Sequence, residues 1–246
     1  MTTAYFLSDT HFNDPKEPHY QAALFWLKSL RGRDDLTHLF LMGDIFDLWI
    51  GRHRIFVEKW ADLSAELLRL HFLGVEIHYF EGNHDLYIDS YFGNGQLGFA
   101  VHPSPIELLL AGRRIRLEHG DQMDPTDRGY LFLRWFLRTR AMTYIALKLR
   151  DGWVSAIGEK MSDTSRDYTS SRSDAHFESV KAKVAAHVAG LLAAGGKFDL
   201  FIAGHVHHQM DFTIGSTRVI NLGSWLGREK PHVLRLTDAS VEFVTF

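Results

Sequence analysis

Five short polar clusters are spread along the chain, and each contains residue types that bind divalent metal ions. They are Asp9-Thr10-His11, Gly43-Asp44, Gly82-Asn83-His84-Asp85, His119-Gly120-Asp121 and Gly204-His205-Val206-His207. Carboxylate, amide and imidazole ligands of this kind suit Mn²⁺, Fe²⁺, Zn²⁺ or Co²⁺. The chain has no cysteine, which excludes disulfides, thiolate zinc sites and cysteine nucleophiles. Any metal site must therefore use nitrogen and oxygen ligands.

The spacing inside two of the clusters favours shared ligation of one metal ion. Asp9 and His11 are two positions apart, as are His205 and His207. In extended backbone, residues i and i+2 point to the same side, so each pair is expected to reach a single ion. Asp44 has two carboxylate oxygens, and it is the natural bridge between two cations about 3.5–4 Å apart.

Each of these residues has an ordinary structural explanation when it is taken alone. An Asp after a strand is commonly a helix cap or a turn residue, and a single His is commonly a hydrogen-bonded core or surface residue. Five such clusters are harder to explain in this way, because the small probabilities of independent coincidences multiply. The sequence therefore predicts that the clusters converge on one two-metal site.

The clusters follow segments whose hydrophobic pattern predicts strands, and the first strands alternate with amphipathic helices. Helical spacing runs through Tyr20, Leu24 and Leu27 and again through Trp60, Leu63 and Leu67. The predicted strands are 4–8, 38–42, 75–80, 106–110, 115–118, 199–203, 218–222, 232–236 and 241–245, with a hairpin at 106–118. This order predicts an α/β fold, in which functional groups gather beyond the carboxyl ends of the strands.

Residues 126–173 interrupt this alternation with a helical pattern that combines aromatic, aliphatic and cationic side chains. One interpretation is a lid over a ligand with an acyl chain and phosphates, or a surface that contacts an anionic bilayer. The other is a helical pair packed on its own core, with its arginines in solvent. The pattern alone favours the second interpretation.

Composition limits the class of protein. With 246 residues, of which 46% are hydrophobic, the chain can form a sizeable core, and one domain with an insertion is expected. The formal net charge of −3 gives no global attraction to a phosphate backbone, so nucleic-acid binding is not expected. Residues 1–8 lack the pattern of a signal peptide, and no apolar run reaches the length of a membrane span. We therefore expect a cytoplasmic protein, at most peripheral on the inner membrane.

In this order, the five clusters resemble the signature of the calcineurin-like metallophosphoesterases, and the resemblance spans nearly the whole chain. It implies a sandwich of two mixed β-sheets flanked by helices, formed by a single domain 1–246 with a helical lid insertion at about 126–173. It also implies a dinuclear metal site at the edge of the sandwich, with two divalent cations, Mn²⁺ first and Fe²⁺, Zn²⁺ or Co²⁺ as alternatives.

The resemblance also assigns roles to individual residues. One metal would bind Asp9, His11, Asp44 and His207, and the other would bind Asp44, Asn83, His119 and His205. His84 matches the catalytic histidine of the family, which contacts the phosphate and protonates the leaving oxygen. Asp85 would orient that histidine. The implied activity is that of a dinuclear metal-dependent phosphoesterase or pyrophosphatase.

Within the family, residues 8–12, residues 43–51 and the lid that follows His119-Gly120-Asp121 are similar to the bacterial UDP-2,3-diacylglucosamine diphosphatases of lipid A synthesis. This implies cleavage of UDP-2,3-diacylglucosamine to UMP and 2,3-diacylglucosamine 1-phosphate. The expected partner is a nucleotide-linked or phosphorylated glycolipid, with peripheral membrane contact through the lid. The expected substrate-binding residues are Arg134, Arg138, Ser165, Arg166 and Arg172.

Three positions depart from the pattern of those diphosphatases. They usually have Arg in place of His84, Thr-His-Arg in place of Val206-His207-His208, and Gly-Asp-Trp in place of Gly223-Ser224-Trp225. Other activities therefore stay open. They are a related metallophosphoesterase with another nucleotide or phospholipid substrate, a cytosolic nucleotide phosphodiesterase, and a metal-binding scaffold without turnover.

Overall fold

Two β-sheets packed face to face, with helices on both outer faces, form the framework that positions the five clusters. The structure is a computed structural model that describes residues 1–30, 36–154, 174–226 and 231–246. The described helices are α1 (Pro18–Ser29), α2 (Arg54–Lys59), α3 (Ala61–Phe72), α4 (Arg128–Leu137), α5 (Arg140–Lys148) and α6 (Asp174–Ala193). None of them is both long and apolar enough to cross a bilayer.

The first sheet has six strands in the order β13-β12-β1-β2-β4-β6. Its strands are β1 (Thr3–Leu7), β2 (Leu36–Leu41), β4 (Glu76–Phe80), β6 (Ala100–His102), β12 (His232–Thr237) and β13 (Val241–Thr245). The run β1-β2-β4-β6 is parallel, whereas β12 and β13 pair in antiparallel fashion. The parallel run brings the carboxyl ends of β1, β2 and β4 to one edge.

The second sheet has five strands in the order β10-β11-β9-β8-β7. Its strands are β7 (Ile106–Leu110), β8 (Arg113–Glu118), β9 (Leu200–Ala203), β10 (Met210–Ile214) and β11 (Thr217–Asn221). The strands β8, β9 and β11 are parallel, and an antiparallel hairpin closes each edge. The predicted α/β sandwich of two mixed sheets, including the hairpin at 106–118, is confirmed.

Alternation along the strands explains how the layers pack. In β1, Ala4 and Phe6 face the second sheet, whereas Tyr5 and Leu7 belong to the core under α1 and α3. On the far side, α6 packs on the second sheet through residues such as Val184 and Val188. The layers therefore follow the order helix, sheet, sheet, helix.

Four short or peripheral strands were not predicted from the sequence. The pair β3 (Trp49–Ile50) and β5 (Asp85–Leu86) has two residues per strand and pairs in parallel. Strand β6 has three residues and β10 lies at the edge of its sheet. Segments of two or three residues are too short to show a period, and the pairing of β3 with β5 depends on the loops that carry them.

The packing between the two sheets makes a testable contribution to stability. Phe6 is fully buried and stacks on Phe40, with ring centroids 4.5 Å apart. We expect Phe6→Ala to lower the free energy of unfolding by about 3–5 kcal/mol, because it removes a large side chain and leaves a cavity. Phe25 on α1 is 76% exposed, so Phe25→Ala should change stability by less than about 0.5 kcal/mol. Urea denaturation measures both, and equal losses would contradict this account of the core.

Candidate metal centre

The loops that follow β1, β2 and β9 are held together by hydrogen bonds from backbone amides. The Asp9 amide donates to the Gly43 carbonyl (3.1 Å), and the His11 amide donates to the Asp44 carbonyl (3.1 Å). The His205 amide donates to both Asp9 carboxylate oxygens, at 3.0 and 2.9 Å. These bonds place clusters that are nearly 200 residues apart in the sequence within contact distance.

A first group of ligand-type atoms comes from the loops after β1 and β9. The Nε2 atoms of His11 and His207 are 3.1 Å apart, and Nε2 of His207 is 3.5 Å from Oδ1 of Asp9. Two imidazoles and a carboxylate offer one ligand atom each, all within 4.8 Å of one another. These separations are close to those of ligands that surround one cation at about 2.0–2.1 Å.

A second group comes from the loops after β2, β4, β8 and β9. His119 Nε2 lies 3.4 Å from Asp44 Oδ2 and 3.3 Å from Asn83 Oδ1, and His205 Nδ1 lies 3.0 Å from the same Asn83 oxygen. Asp44 also offers an oxygen within 4.8 Å of ligand atoms from His11. This carboxylate therefore lies between the two groups.

The hydrogen bonds behind His119 show that a cation suits the second group. Its Nδ1 donates to the Met42 carbonyl (2.9 Å), so the lone pair of the neutral ring is on Nε2. That lone pair faces oxygen atoms of Asp44 and Asn83. Acceptors that face one another in a buried site need a positive charge between them, and either a proton or a metal ion can supply it.

The electrostatics of the site also favour positive charge. Burial opposes a charged His119, but the Asp44 carboxylate outweighs burial and raises the pKa of His119 to about 10. Burial likewise opposes a charged Asp44, yet the nearby His119 and His84 hold its pKa well below the ordinary value. Burial lowers the pKa of His205 to about 4, so this ring is neutral at pH 7, as a metal ligand must be.

The backbone at the site is strained. Asp9, His11, Asp44, His205 and His207 all have φ between 45° and 70°, the left-handed region that costs a non-glycine residue about 1–3 kcal/mol. The expectation that the two pairs sit in extended backbone is therefore wrong. Asp9 and His11 still offer ligand-type atoms to one group, but His207 belongs to the first group and His205 to the second, so the expectation that each pair reaches a single ion is wrong for the second pair.

Two glycines are required by close approach to the carboxylates. A Cβ on Gly82 would lie 2.0 Å from Asp44 Oδ1, and a Cβ on Gly204 would lie 2.4 Å from Asp9 Oδ2. Any larger residue would displace the carboxylates, so these glycines serve the site through their lack of a side chain.

Asp85 is fully buried and connects the loops after β2 and β4. Its Oδ1 accepts the amides of Asp44 (3.0 Å) and Gly82 (2.7 Å), and its Oδ2 accepts the Ile45 amide (3.0 Å) and the Tyr79 hydroxyl (2.8 Å). The carboxylate therefore positions Asp44 and the loop that carries Asn83.

The expectation that Asp85 orients His84 is corrected by these contacts. His84 Nδ1 donates to the backbone carbonyl of Asp47 at 2.8 Å, and its ring lies edge-on to His11 with centroids 4.8 Å apart. Burial would lower the pKa of His84, but the Asp44 carboxylate and the Asp47 carbonyl raise it above its ordinary value. Sequence reasoning missed the role of Asp47 because a backbone carbonyl leaves no signal in residue type.

Two of the residues predicted to bind substrate lie at the rim of the site. Arg134 Nε donates to Asp121 Oδ2 (2.6 Å), and Arg134 lines a cavity of about 230 Å³ beside His119. Arg138 Nη2 donates to the Gly82 carbonyl (3.1 Å). The other three expected residues, Ser165, Arg166 and Arg172, lie outside the residues that the structure describes.

Helix α4 presents an apolar surface to solvent beside these arginines. None of its residues is buried, and Trp135 is 62% exposed. The exposed apolar side chains of α4 and α5, here called the lid face, are Phe132, Leu133, Trp135, Phe136, Tyr144 and Ile145. The interpretation of this segment as a helical pair with its own core is therefore wrong for its described part. Its arginines at 134 and 138 contact the site loops instead of lying in solvent.

Two residues near the end of the chain support the site and were not predicted to do so. Ser224 Oγ donates to the Asp9 carbonyl (3.0 Å), and Asn221 Nδ2 donates to the Gly204 carbonyl (2.5 Å). The only signal was the departure at Gly223-Ser224-Trp225 from the pattern of similar enzymes. A serine is sufficient for this contact, so the departure leaves the support of the Asp9 loop intact.

Comparisons with known proteins show what the chain is similar to. The family model for calcineurin-like phosphoesterases matches residues 2–209. A protein from Porphyromonas gingivalis named UDP-2,3-diacylglucosamine hydrolase is 28% identical over 90% of both chains. A protein of the same name from Aeromonas salmonicida is 30% identical over 89% of this chain and 85% of its own. A solved structure of an archaeal phosphodiesterase covers all of both chains, with a TM-score of 0.50 and 11% identity, which is a likeness of fold.

The position of Asp85 predicts an effect on metal binding. In Asp85→Asn, an amide NH₂ replaces one of two oxygens that each accept two hydrogen bonds, so the loops of Asp44 and Gly82 must shift. We expect the affinity for Mn²⁺ to fall about 10–100-fold, the usual effect of removing the partner behind a ligand. Isothermal titration with Mn²⁺ measures this. Asp62→Asn, on the exposed face of α3, is the control, and equal affinity in the two variants would refute the role of Asp85.

Proposed function

The chain belongs to the calcineurin-like phosphoesterase family and is thus a metal-dependent phosphoesterase or diphosphatase, and we propose that its substrate is UDP-2,3-diacylglucosamine. The products would be UMP and 2,3-diacylglucosamine 1-phosphate, with water added across one phosphorus–oxygen bond of the diphosphate. The observation that carries the proposal is the lid face, which lies beside a two-group metal centre and two arginines. The relatives named for this substrate support it.

The residues present fit a pair of divalent cations that share Asp44. The first cation would be held by Asp9, His11, Asp44 and His207, and the second by Asp44, Asn83, His119 and His205. We propose Mn²⁺ for both, because carboxylate, amide and imidazole ligands without thiolate suit it. When bound, such a pair activates water near neutral pH and neutralises charge on phosphoryl oxygens.

His84 is proposed to hold the proton that the leaving oxygen receives. Its Nδ1–H is committed to the Asp47 carbonyl, so a proton available to substrate must be on Nε2. The raised pKa of His84 favours the form with both nitrogens protonated. Its edge-on contact with His11 keeps this ring at the first group of ligands.

The substrate proposed here has a charged end and an apolar end, and the rim of the site offers complementary surfaces. Arg134 and Arg138 would face the diphosphate from α4, with Ser165, Arg166 and Arg172 as further proposed contacts. The acyl chains would cover the lid face, which otherwise leaves large apolar side chains in water. The same surface would let the protein extract its substrate as a peripheral protein at the cytoplasmic side of the inner membrane.

The role of the lid face is tested with substrates that differ only in their acyl chains. We expect kcat/KM for UDP-2,3-diacylglucosamine to exceed that for UDP-N-acetylglucosamine by at least about 10-fold, and Trp135→Ala to lower only the former about 10-fold, because one buried aromatic contributes about 1.5–3 kcal/mol. An aryl phosphodiester and Phe25→Ala are the controls. Equal rates with and without acyl chains, or faster hydrolysis of a cyclic nucleotide, would overturn the substrate assignment.

The role of His84 is tested separately from metal binding. We expect His84→Gln to lower kcat by about 10²–10⁴-fold, the usual contribution of a positioned acid, while two metal ions per chain stay bound. Asp44→Ala is the comparison, since it should remove both metal and activity. Elemental analysis and steady-state kinetics on the same samples distinguish the two effects. An unchanged kcat in His84→Gln would refute the proton-donor role, and full metal content without turnover in the parent protein would favour a scaffold.

A further inference from the structure

A separate cluster of three histidines and one glutamate lies on the first sheet, away from the metal centre. It consists of His38 on β2, Glu76 and His78 on β4, and His102 on β6. In the register of the sheet, His38 is opposite Glu76 and Phe40 is opposite His78. Since His78 is two residues after Glu76 on the same strand, the side chains of His38, Glu76 and His78 share one face of the sheet. His38 lies three residues before the end of β2, which places it about 10 Å along the strand from the edge where the other clusters gather.

The ligand-type atoms of this group approach one another closely. His38 Nε2 lies 3.6 Å from Glu76 Oε2, and His78 Nε2 lies 3.8 Å from the same oxygen. The three residues each offer one such atom, and all lie within 4.8 Å of one another. Ligands about 2.0–2.1 Å from a tetrahedral cation are about 3.4 Å apart, so only small rotations separate this arrangement from coordination.

The hydrogen bonds of Thr37 fix the tautomer of neutral His38. The Thr37 hydroxyl donates its proton to the Thr3 carbonyl (2.9 Å). It must therefore accept from His38 Nδ1, which lies 2.8 Å away. With the proton on Nδ1, the lone pair of His38 is on Nε2 and faces the Glu76 carboxylate. Two acceptors then face one another across 3.6 Å, an arrangement that a bound cation stabilises.

His102 supports His78 in the way that a partner residue commonly supports a metal-ligating histidine. His78 Nδ1 and His102 Nε2 are 2.9 Å apart, so a hydrogen bond joins the two rings. A cation on His78 Nε2 would require the proton on Nδ1, and His102 Nε2 is placed to accept it. The ring of His78 also stacks on Phe40, with centroids 4.5 Å apart, which holds its plane.

We propose that His38, Glu76 and His78 form a third divalent-cation site, separate from the dinuclear centre and suited to Zn²⁺. Two imidazoles and one carboxylate are a common zinc ligand set, and the 70% exposed Glu76 leaves the fourth position open to water. Such an ion would link β2 to β4, the strands that lead to Asp44 and Asn83.

The protonation state of the imidazoles agrees with this proposal. Burial, together with the neighbouring rings of His102 and His38, lowers the pKa of His78 to about 4. Burial also lowers the pKa of His38, against the opposing effect of Glu76. Both rings are therefore neutral at pH 7, and no proton has to be displaced before they bind a metal ion.

The test uses Zn²⁺ and the full chain without a polyhistidine tag. In an Asp44→Ala background, which lacks the proposed bridge of the dinuclear centre, we expect elemental analysis after dialysis to find one more Zn²⁺ per chain than in the same background with Glu76→Gln or His78→Gln added. The comparison isolates the third site, because Asp9, His11 and His207 are the same in all three proteins. Zn²⁺ should raise the Tm of Asp44→Ala by more than it raises the Tm of the double variants. Glu76→Gln is the safer change for folding, because its side chain is mostly in solvent.

The matched control is His19→Gln. His19 Nε2 lies 3.4 Å from Glu17 Oε2, which reproduces one imidazole–carboxylate contact without the second imidazole of the cluster. This variant should keep the Zn²⁺ and its effect on Tm. The proposal is overturned if Glu76→Gln and His78→Gln bind as much Zn²⁺ as Asp44→Ala alone. This outcome does not depend on the hydrolytic activity, which both cluster variants should retain in the otherwise unchanged chain.

Discussion

The metal centre depends on the hydrogen bonds that the buried carboxylate of Asp85 accepts. An isolated charge in the interior is strongly unfavourable, and this one is stabilised by three backbone amides and the Tyr79 hydroxyl. The amides belong to the loops after β2 and β4, so satisfying the charge fixes the relative position of those loops. Asp44 and Asn83 are thereby presented to the same point from different strands. The close approach also explains why residue 82 is a glycine, since a Cβ there would meet the oxygens of both Asp44 and Asp85.

The site concentrates unfavourable features that the rest of the fold has to support. Five candidate ligands have left-handed backbone, and several ionisable groups are buried side by side. Strain of this kind persists only where the surroundings determine the conformation. Here two sheets with a close-packed interface between them hold the strand ends, and cross-loop bonds such as Asp9 to Gly43 hold the turns. A bound cation would relieve part of the cost by separating the acceptors that face one another.

The sequence predicted the elements and the convergence well, because both follow from patterns that residue types carry. Period-two alternation located the longer strands, and polar clusters after buried strands indicated one edge. What it missed depends on backbone groups or on register. The Asp47 carbonyl behind His84 has no signature in the side chain of Asp47. His38, Glu76 and His78 look unrelated until the parallel register of β2 and β4 places them together. The approach of Asp9 to His207 required left-handed turns that alternation does not describe.

Helix α4 is attached to the protein in an unusual way, and this bears on how an amphiphile could be held. A helix of ten residues is marginal in isolation and normally depends on a buried apolar face, yet α4 buries none of its residues. Leu137 at its end packs against the core, and its other attachments are polar: Tyr130 and Arg134 both donate to Asp121, Arg138 donates to the Gly82 carbonyl, and the Tyr87 hydroxyl donates to the Leu137 carbonyl. The helix is therefore tied to the loops of the candidate metal centre mainly through polar contacts, while the side chains of the lid face stay exposed. This division would suit the substrate proposed above, because the polar contacts of one helix would lie toward its diphosphate and the lid face toward its acyl chains.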